Sequence, residues 1–189
     1  QDDITSTVIR TNTIDSLMIF TDQGKMYRLL IDNIPVGTNT AQGTPVRSLV
    51  EMDNNEKPVI IYSIYRDTDA KFVLFITKNG LVKKTALEEY IKTKKKTGMP
   101  AINLRDGDEL ASVFLIKDEP IILATANGMM IKFNSNQITP TSRNTSGVKG
   151  INLNKEDYVV AGLPVRNNTD DLAVFISNGN AKRINSKEL

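Results

Sequence analysis

Four cations share one position in an internal register. Arg28, Lys84, Lys132 and Arg183 each stand four residues after a glycine, at Gly24, Gly80, Gly128 and Gly179. Lys and Arg make up 24 of 189 residues, about one position in eight, so a column that is basic in every copy exceeds what composition supplies. A second basic feature is "KKTALEEYIKTKKK" over 83–96, which carries Lys83, Lys84, Lys92, Lys94, Lys95 and Lys96 against two glutamates. Arg47, Arg143 and Lys149 surround a further set of glycines. Arg143 opens "RNTSGVKG", whose small residues can expose backbone N–H groups to an approaching phosphate. Lys25 and Lys182 complete the set. The chemistry on offer is recognition of negative charge. Burying four unpaired cations would cost several kcal/mol each, so the column is expected to form a stripe along an outer rim. The plainer alternatives are solvated strand ends, or pairing with acids such as Asp32, Glu88 and Glu89.

The rest of the composition narrows the possibilities. The chain has no cysteine and no histidine, so disulfides, thiol chemistry, Ser-His nucleophiles and the favoured zinc ligands are all excluded. The lack of cysteine fits a cytosolic setting. Asp106, Asp108 and Glu109 could suggest a magnesium site, but the equivalent turns do not keep three carboxylates, and a polar turn is the better reading. Tyr27, Tyr62, Tyr65, Tyr90 and Tyr158 share no repeat position, so they are expected to pack rather than to stack bases. No run approaches the roughly 18 apolar residues of a membrane span. The opening "QDDITS" lacks both a signal-peptide pattern and Met, as expected of a piece cut from something longer. The net charge of +2 is weak evidence by itself; distribution matters more.

The positioning elements follow from the repeat. "LMIFTDQGKMYRL" (17–29), "VLFITKNGLVKKT" (73–85), "IILATANGMMIKF" (121–133) and "LAVFISNGNAKRI" (172–184) align on the four glycines at intervals of 56, 48 and 51 residues. Each reads as a β-hairpin whose first strand is apolar at every position and therefore covered on both faces. Asn-Gly at three turns and Gln-Gly at the first predict type I′ geometry. Second blocks, "GTPVRSL" (43–49), "GMPAINL" (98–104) and "GVKGINL" (147–153), follow about nineteen residues later, then polar turns and further apolar segments. Each period thus holds about four short strands, the content of a propeller-type blade, and only Ala86 to Lys96 looks helical. The expected organisation is an all-β array with repeats near 4–65, 66–116, 117–165 and 166–189: three units and the start of a fourth, an incomplete ring.

At "FITKNGLVKKTALEEY", "GMPAINLRDGDELASV" and "RNTSGVKGINLNKEDYVVAG" the chain resembles the C-terminal domain of the A subunit of bacterial type IIA topoisomerases, DNA gyrase first and topoisomerase IV second. The resemblance implies a β-pinwheel, a propeller-like disc whose basic outer rim binds and bends double-stranded DNA. It further implies that the module works with the remainder of the A subunit, beside the B subunit, in an A2B2 holoenzyme in the bacterial cytoplasm near the nucleoid. Strand cleavage, ATP and Mg would then belong to other domains, leaving no cofactor and no catalytic residue here. The basic glycine-rich box that marks gyrase lies before the first blade and outside this sequence, and gyrase discs commonly have six blades. Two rivals are a propeller-type module that docks other subunits and, far behind it, a hydrolase using carboxylates alone.

Overall fold

The computed structural model describes residues 7–65, 68–92, 97–167 and 170–189; Lys94, Lys95 and Lys96 lie outside them. Each repeated motif folds as an antiparallel hairpin. β1 (Ser16–Thr21) pairs with β2 (Lys25–Leu30), and β3 (Pro58–Ile64) joins the far side of β1. The second unit repeats this with β4 (Phe72–Thr77), β5 (Leu81–Ala86) and β7 (Leu110–Ile116). The third does so with β8 (Pro120–Thr125), β9 (Met130–Asn134) and β11 (Val159–Pro164). The fourth has, among the described residues, β12 (Asp171–Phe175) and β13 (Ala181–Asn185). Of the helix expected over Ala86 to Lys96, the described residues form one turn, α2 (Glu88–Ile91). No described helix is long and apolar enough to cross a membrane.

The turns correct the type I′ expectation. Among the described residues only Glu156 combines a side chain with positive φ, so Gln23, Asn79, Asn127 and Asn178 do not adopt it. Instead each turn glycine alone is left-handed, and its N–H donates to the carbonyl three residues back: Gly24 to Thr21, Gly80 to Thr77, Gly128 to Thr125 and Gly179 to Ile176, at 2.9–3.0 Å. This is the three-residue loop in which a type I turn is followed by a glycine bulge. The same Asn-Gly dipeptide serves either turn. In the first three turns the threonine three places before the glycine adds a further bond, its hydroxyl accepting the N–H just beyond the glycine, as Thr77 does from Leu81 and Thr125 from Met129, both at 3.2 Å; the fourth turn keeps the geometry with Ile176 there.

The glycine blocks correct a second expectation, that four strands from one period make one sheet. β6 (Met99–Pro100), from the second unit's block, pairs with β2 of the first unit, Met26 opposite Met99. β10 (Val148–Lys149), from the third unit's block, pairs with β5 of the second, Val82 opposite Val148. The sheets are therefore β3-β1-β2-β6, β10-β5-β4-β7, β11-β8-β9 and β12-β13. Gly98 is needed because a Cβ there would lie 2.5 Å from the Tyr27 ring. Gly147, with φ +89°, would bring a Cβ within 2.5 Å of the Val82 carbonyl oxygen. The first block has no earlier hairpin edge among the described residues and forms the short helix α1 (Val46–Leu49) instead.

Strand alternation sends apolar residues to both faces, and successive sheets share the cores between them. Met18, Phe20 and Met26 of the first sheet pack with Val73, Phe75, Leu87 and Tyr90 of the second unit. Leu74, Ile76 and Val82 turn the other way, against Ile121 and Leu123 of the third. β1 is buried along its full length, and β4 is buried from Val73 onward, as their unbroken apolar runs require. β12 is the exception: its alternate residues are exposed, Phe175 among them. β7 touches both β3 and β11, so the sheets converge along that edge while the block strands β6 and β10 lie along the opposite one.

Candidate nucleic-acid interface

The basic column does not form an open stripe. Arg28, on β2 opposite Met18, donates from Nη1 to the carbonyl of Ile91, which ends α2 of the second unit, and from Nε to Ser16 Oγ at 3.2 Å. Lys84, on β5 opposite Leu74, is 5 % exposed; its Nζ donates to the Ser135 carbonyl at 2.7 Å and lies 4.8 Å from the centre of the Phe72 ring. Lys132, on β9 opposite Ile122, is half-buried and donates to the Ser186 carbonyl. Ser135 and Ser186 begin the 3-10 turns Ser135–Gln137 and Ser186–Glu188 of the third and fourth units. Each cation thus crosses to a turn of the next unit. The expectation of solvent-facing charges failed because backbone carbonyls can satisfy a buried ammonium or guanidinium as well as a carboxylate can. Of the four, Arg183 stays open: its side chain is 81 % exposed, with Asp171 at 3.4 Å from Nε.

Lys83 is likewise corrected from rim to interior. Adjacent strand residues face opposite ways, so Lys83 points to the first-unit side while Lys84 points to the third. Lys83 is 1 % exposed and donates to Thr85 Oγ1 at 2.7 Å and to the Ala101 carbonyl at 2.8 Å, with Phe75 4.9 Å below. Burial pushes its pKa down to about 8; Glu89 opposes that shift and Arg143 adds to it. Burial also lowers Lys84, with Asp118 acting against it.

The remaining described candidates are exposed or partly exposed. Arg47 is exposed on α1, and its Nη2 donates to the Glu56 carbonyl at 3.3 Å. Lys149 is exposed on β10, and Lys182 is exposed on β13 beside Arg183. Lys92 pairs with Glu88 at 2.9 Å. Arg143 lies 3.8 Å from Glu89 and also donates to Met99 Sδ at 3.1 Å. Lys92 and Arg143, from different units, meet at one open cleft of about 450 Å³ that Glu89, Gly98 and Pro100 also line. Lys25 is partly exposed, and its hydrogen bond to Asp53 at 2.6 Å holds its ammonium above the usual range. Arg47, Lys92, Arg143 and Lys149 all flank or occupy the glycine blocks; the second and third blocks supply the edge strands β6 and β10, whereas Arg47 sits on α1 of the first.

One column escaped the sequence reading. Asp108 and Asp157, buried in the polar turns after the blocks, each accept the N–H of a hairpin-turn asparagine: Asp108 from Asn79 at 2.9 Å and Asp157 from Asn127 at 3.0 Å. Glu56 does related work in the first unit, accepting from the Tyr27 hydroxyl at 2.7 Å and from Thr21 Oγ1. These carboxylates brace turns, which accounts for Asp108 in the acidic cluster. An alignment carried past the glycine blocks would have lined up Asp108 and Asp157. Tyr27 and Tyr90 pack in the interior as expected, whereas Tyr65 and Tyr158 are exposed.

A family model described as the DNA gyrase C-terminal domain, beta-propeller, matches residues 15–57, 71–117 and 119–166, one segment for each of the first three units. The DNA gyrase A subunit of Clostridium acetobutylicum is 40 % identical over 151 residues, covering 79 % of this chain and 18 % of that protein. The DNA gyrase A subunit of Lawsonia intracellularis is 35 % identical over 186 residues, covering 97 % of this chain and 23 % of its own length. The chain therefore spans about a fifth of these curated relatives. Among solved structures, the C-terminal domain of DNA topoisomerase IV superposes with a TM-score of 0.82 at 27 % identity, covering 94 % of this chain and 55 % of that one. The DNA gyrase A C-terminal domain gives 0.76 at 27 %, covering 95 % and 57 %. With its periodic hairpins, exchanged block strands and stacked antiparallel sheets, the chain belongs to the DNA gyrase C-terminal domain family of β-propeller, or β-pinwheel, modules.

Proposed function

We propose that this chain is the non-catalytic module with which a bacterial type IIA topoisomerase binds and bends duplex DNA. The observation that carries the reading is the placement of Lys92, Arg143 and Lys149 around the second and third glycine blocks, whose strands β6 and β10 close their sheets, with Arg47 exposed in the first block. Lys182 and Arg183 add exposed charge on the last hairpin, and Lys94, Lys95 and Lys96 belong to the same stretch of sequence as Lys92. Lys and Arg contacts to phosphates release counterions and carry no base information, so binding is indifferent to sequence. Curvature of the edge sets the bend, whose elastic cost, on the order of 1–6 kcal/mol, added contacts must offset. In the whole enzyme the module works with the remainder of the A subunit, beside the B subunit, in an A2B2 assembly in the cytoplasm. ATP and Mg serve domains outside this stretch.

Gel-shift titrations on a linear duplex at several salt concentrations test this. If about six phosphates are engaged, log affinity falls with log salt at a slope near −5. Alanine at Arg47, Lys92, Arg143 and Lys149 together should weaken binding to all sequences alike and flatten the slope by about one for each phosphate released. Absent or salt-independent binding rejects the reading. Capture of a protein partner without any DNA shift would favour a docking module instead.

A further inference from the structure

Three times along the chain, the cation four residues past a turn glycine crosses to the next unit and donates to a main-chain carbonyl: Arg28 to Ile91, Lys84 to Ser135 and Lys132 to Ser186. The acceptor always belongs to the short helical turn that follows the next hairpin. A backbone carbonyl is present whatever side chain stands there, so the bond fixes a position without constraining the sequence that supplies it. The apolar cores between the sheets hold them together but are non-directional, and they leave tilt and slide weakly determined. A charge-assisted hydrogen bond has direction. The Lys84 ammonium also lies over the Phe72 ring, which restricts its position further.

We propose that Arg28, Lys84 and Lys132 are positioning residues that set the angle between successive units, and so the curvature of the edge on which DNA is bent, without touching DNA themselves. This rests on the DNA-bending reading above. A small tilt repeated at each unit accumulates along the edge, and the elastic cost of following an edge depends on its curvature. These cations therefore govern bend, whereas the cations around the glycine blocks govern affinity.

The test uses the chain's lack of cysteine, which lets spin labels be placed only where wanted. Labels at Asp106→Cys and Lys155→Cys mark exposed turns of the second and third units. Lys84→Met keeps the aliphatic stem and removes the donor, and Lys84→Arg restores one. The methionine variant should shift and broaden the distance between the labels, with recovery in the arginine variant. On a duplex carrying a dye at each end, it should lower end-to-end transfer while leaving the salt slope as in the parent. Lys132→Met, at a half-buried site, repeats the measurement between the third and fourth units with labels at Lys155→Cys and Asn180→Cys, should Lys84→Met not fold. An unchanged label distance overturns the proposal. A flatter salt slope overturns it too, by making the lysine a phosphate contact. If the parent leaves DNA straight while the label distance still responds, the bending reading falls and takes the DNA half of this proposal with it, but not the latch.

Discussion

The second and fourth hairpins carry paired cations at the same register positions and give them opposite surroundings. Lys83 and Lys84 are sealed between sheets, each bonded to a carbonyl; Lys182 and Arg183 stand in solvent. The two hairpins share their turn geometry and their strand pairing. They differ in company: β10 closes the outer edge of β5, and sheets lie against both faces of β4, whereas β12 and β13 form a sheet of two. Whether a lysine is a structural strut or a surface charge is thus decided by the neighbouring units and not by the hairpin that bears it.

The largest expected break in this symmetry is in stability. Lys83→Ala removes a long side chain from a filled interior together with its hydrogen bonds to Thr85 Oγ1 and the Ala101 carbonyl, which keeps the Tyr90 hydroxyl, so it should cost about 2–5 kcal/mol. Lys182→Ala should stay within about 0.5 kcal/mol. Urea unfolding of both variants checks this, and equal losses would dissolve the contrast.

Next in size is a pH effect confined to the second hairpin. Lys83 sheds its proton near pH 8 in the native protein and near 10.5 in the unfolded chain. Between those values the unfolded state binds more protons, so stability should rise with pH, by on the order of 2 kcal/mol. Burial, joined at Tyr27 by the Glu56 hydrogen bond, raises the phenols of Tyr27 and Tyr90 above their ordinary 10.0, which reverses the trend above pH 10. Unfolding midpoints measured from pH 7 to 10 should climb in the parent and stay level in Lys83→Met.

Smaller still is the effect on DNA. Alanine at Lys182 and Arg183 should flatten the salt slope by about one for each phosphate no longer engaged, while methionine at Lys83 should leave it unchanged. Titrations at three salt concentrations distinguish the two hairpins. The smallest contrast lies in the turns. Thr77→Val loses a hydroxyl that accepts the Leu81 N–H and should cost about 0.5–1.5 kcal/mol by thermal unfolding. The fourth hairpin already carries Ile176 at this position, so Ile176→Val should be nearly neutral.

The repeat, the hairpins and the doubly covered strands are legible in the sequence because each is written in local periodicity: Leu17 to Phe20 and Val73 to Ile76 admit little else. The environment of the cations is not. Nothing near Lys84 in the chain announces Ser135, 51 residues away, as its partner. Exchange of Met99 and Val148 into the preceding sheets is equally non-local, although the recurrent glycines at 98 and 147 mark where backbones crowd. The choice between a type I′ turn and a type I turn with a bulge is not legible either, since Asn-Gly suits both and the fourth turn takes the same geometry with Ile176 where the others have threonine. The cations around the glycine blocks stand out by their clustering, and the structure adds which of them face outward.

Because the first and second sheets each borrow a strand from the following period, neither of those periods is a self-sufficient brick. Cutting the polypeptide at the intervals its own repetition suggests would leave a raw margin on one piece and an orphaned tab on the other. Growth of such an array by gene duplication stays seamless only when the copied stretch carries its tab along, which makes the overlap, rather than the hairpin, the unit that evolution can add or remove.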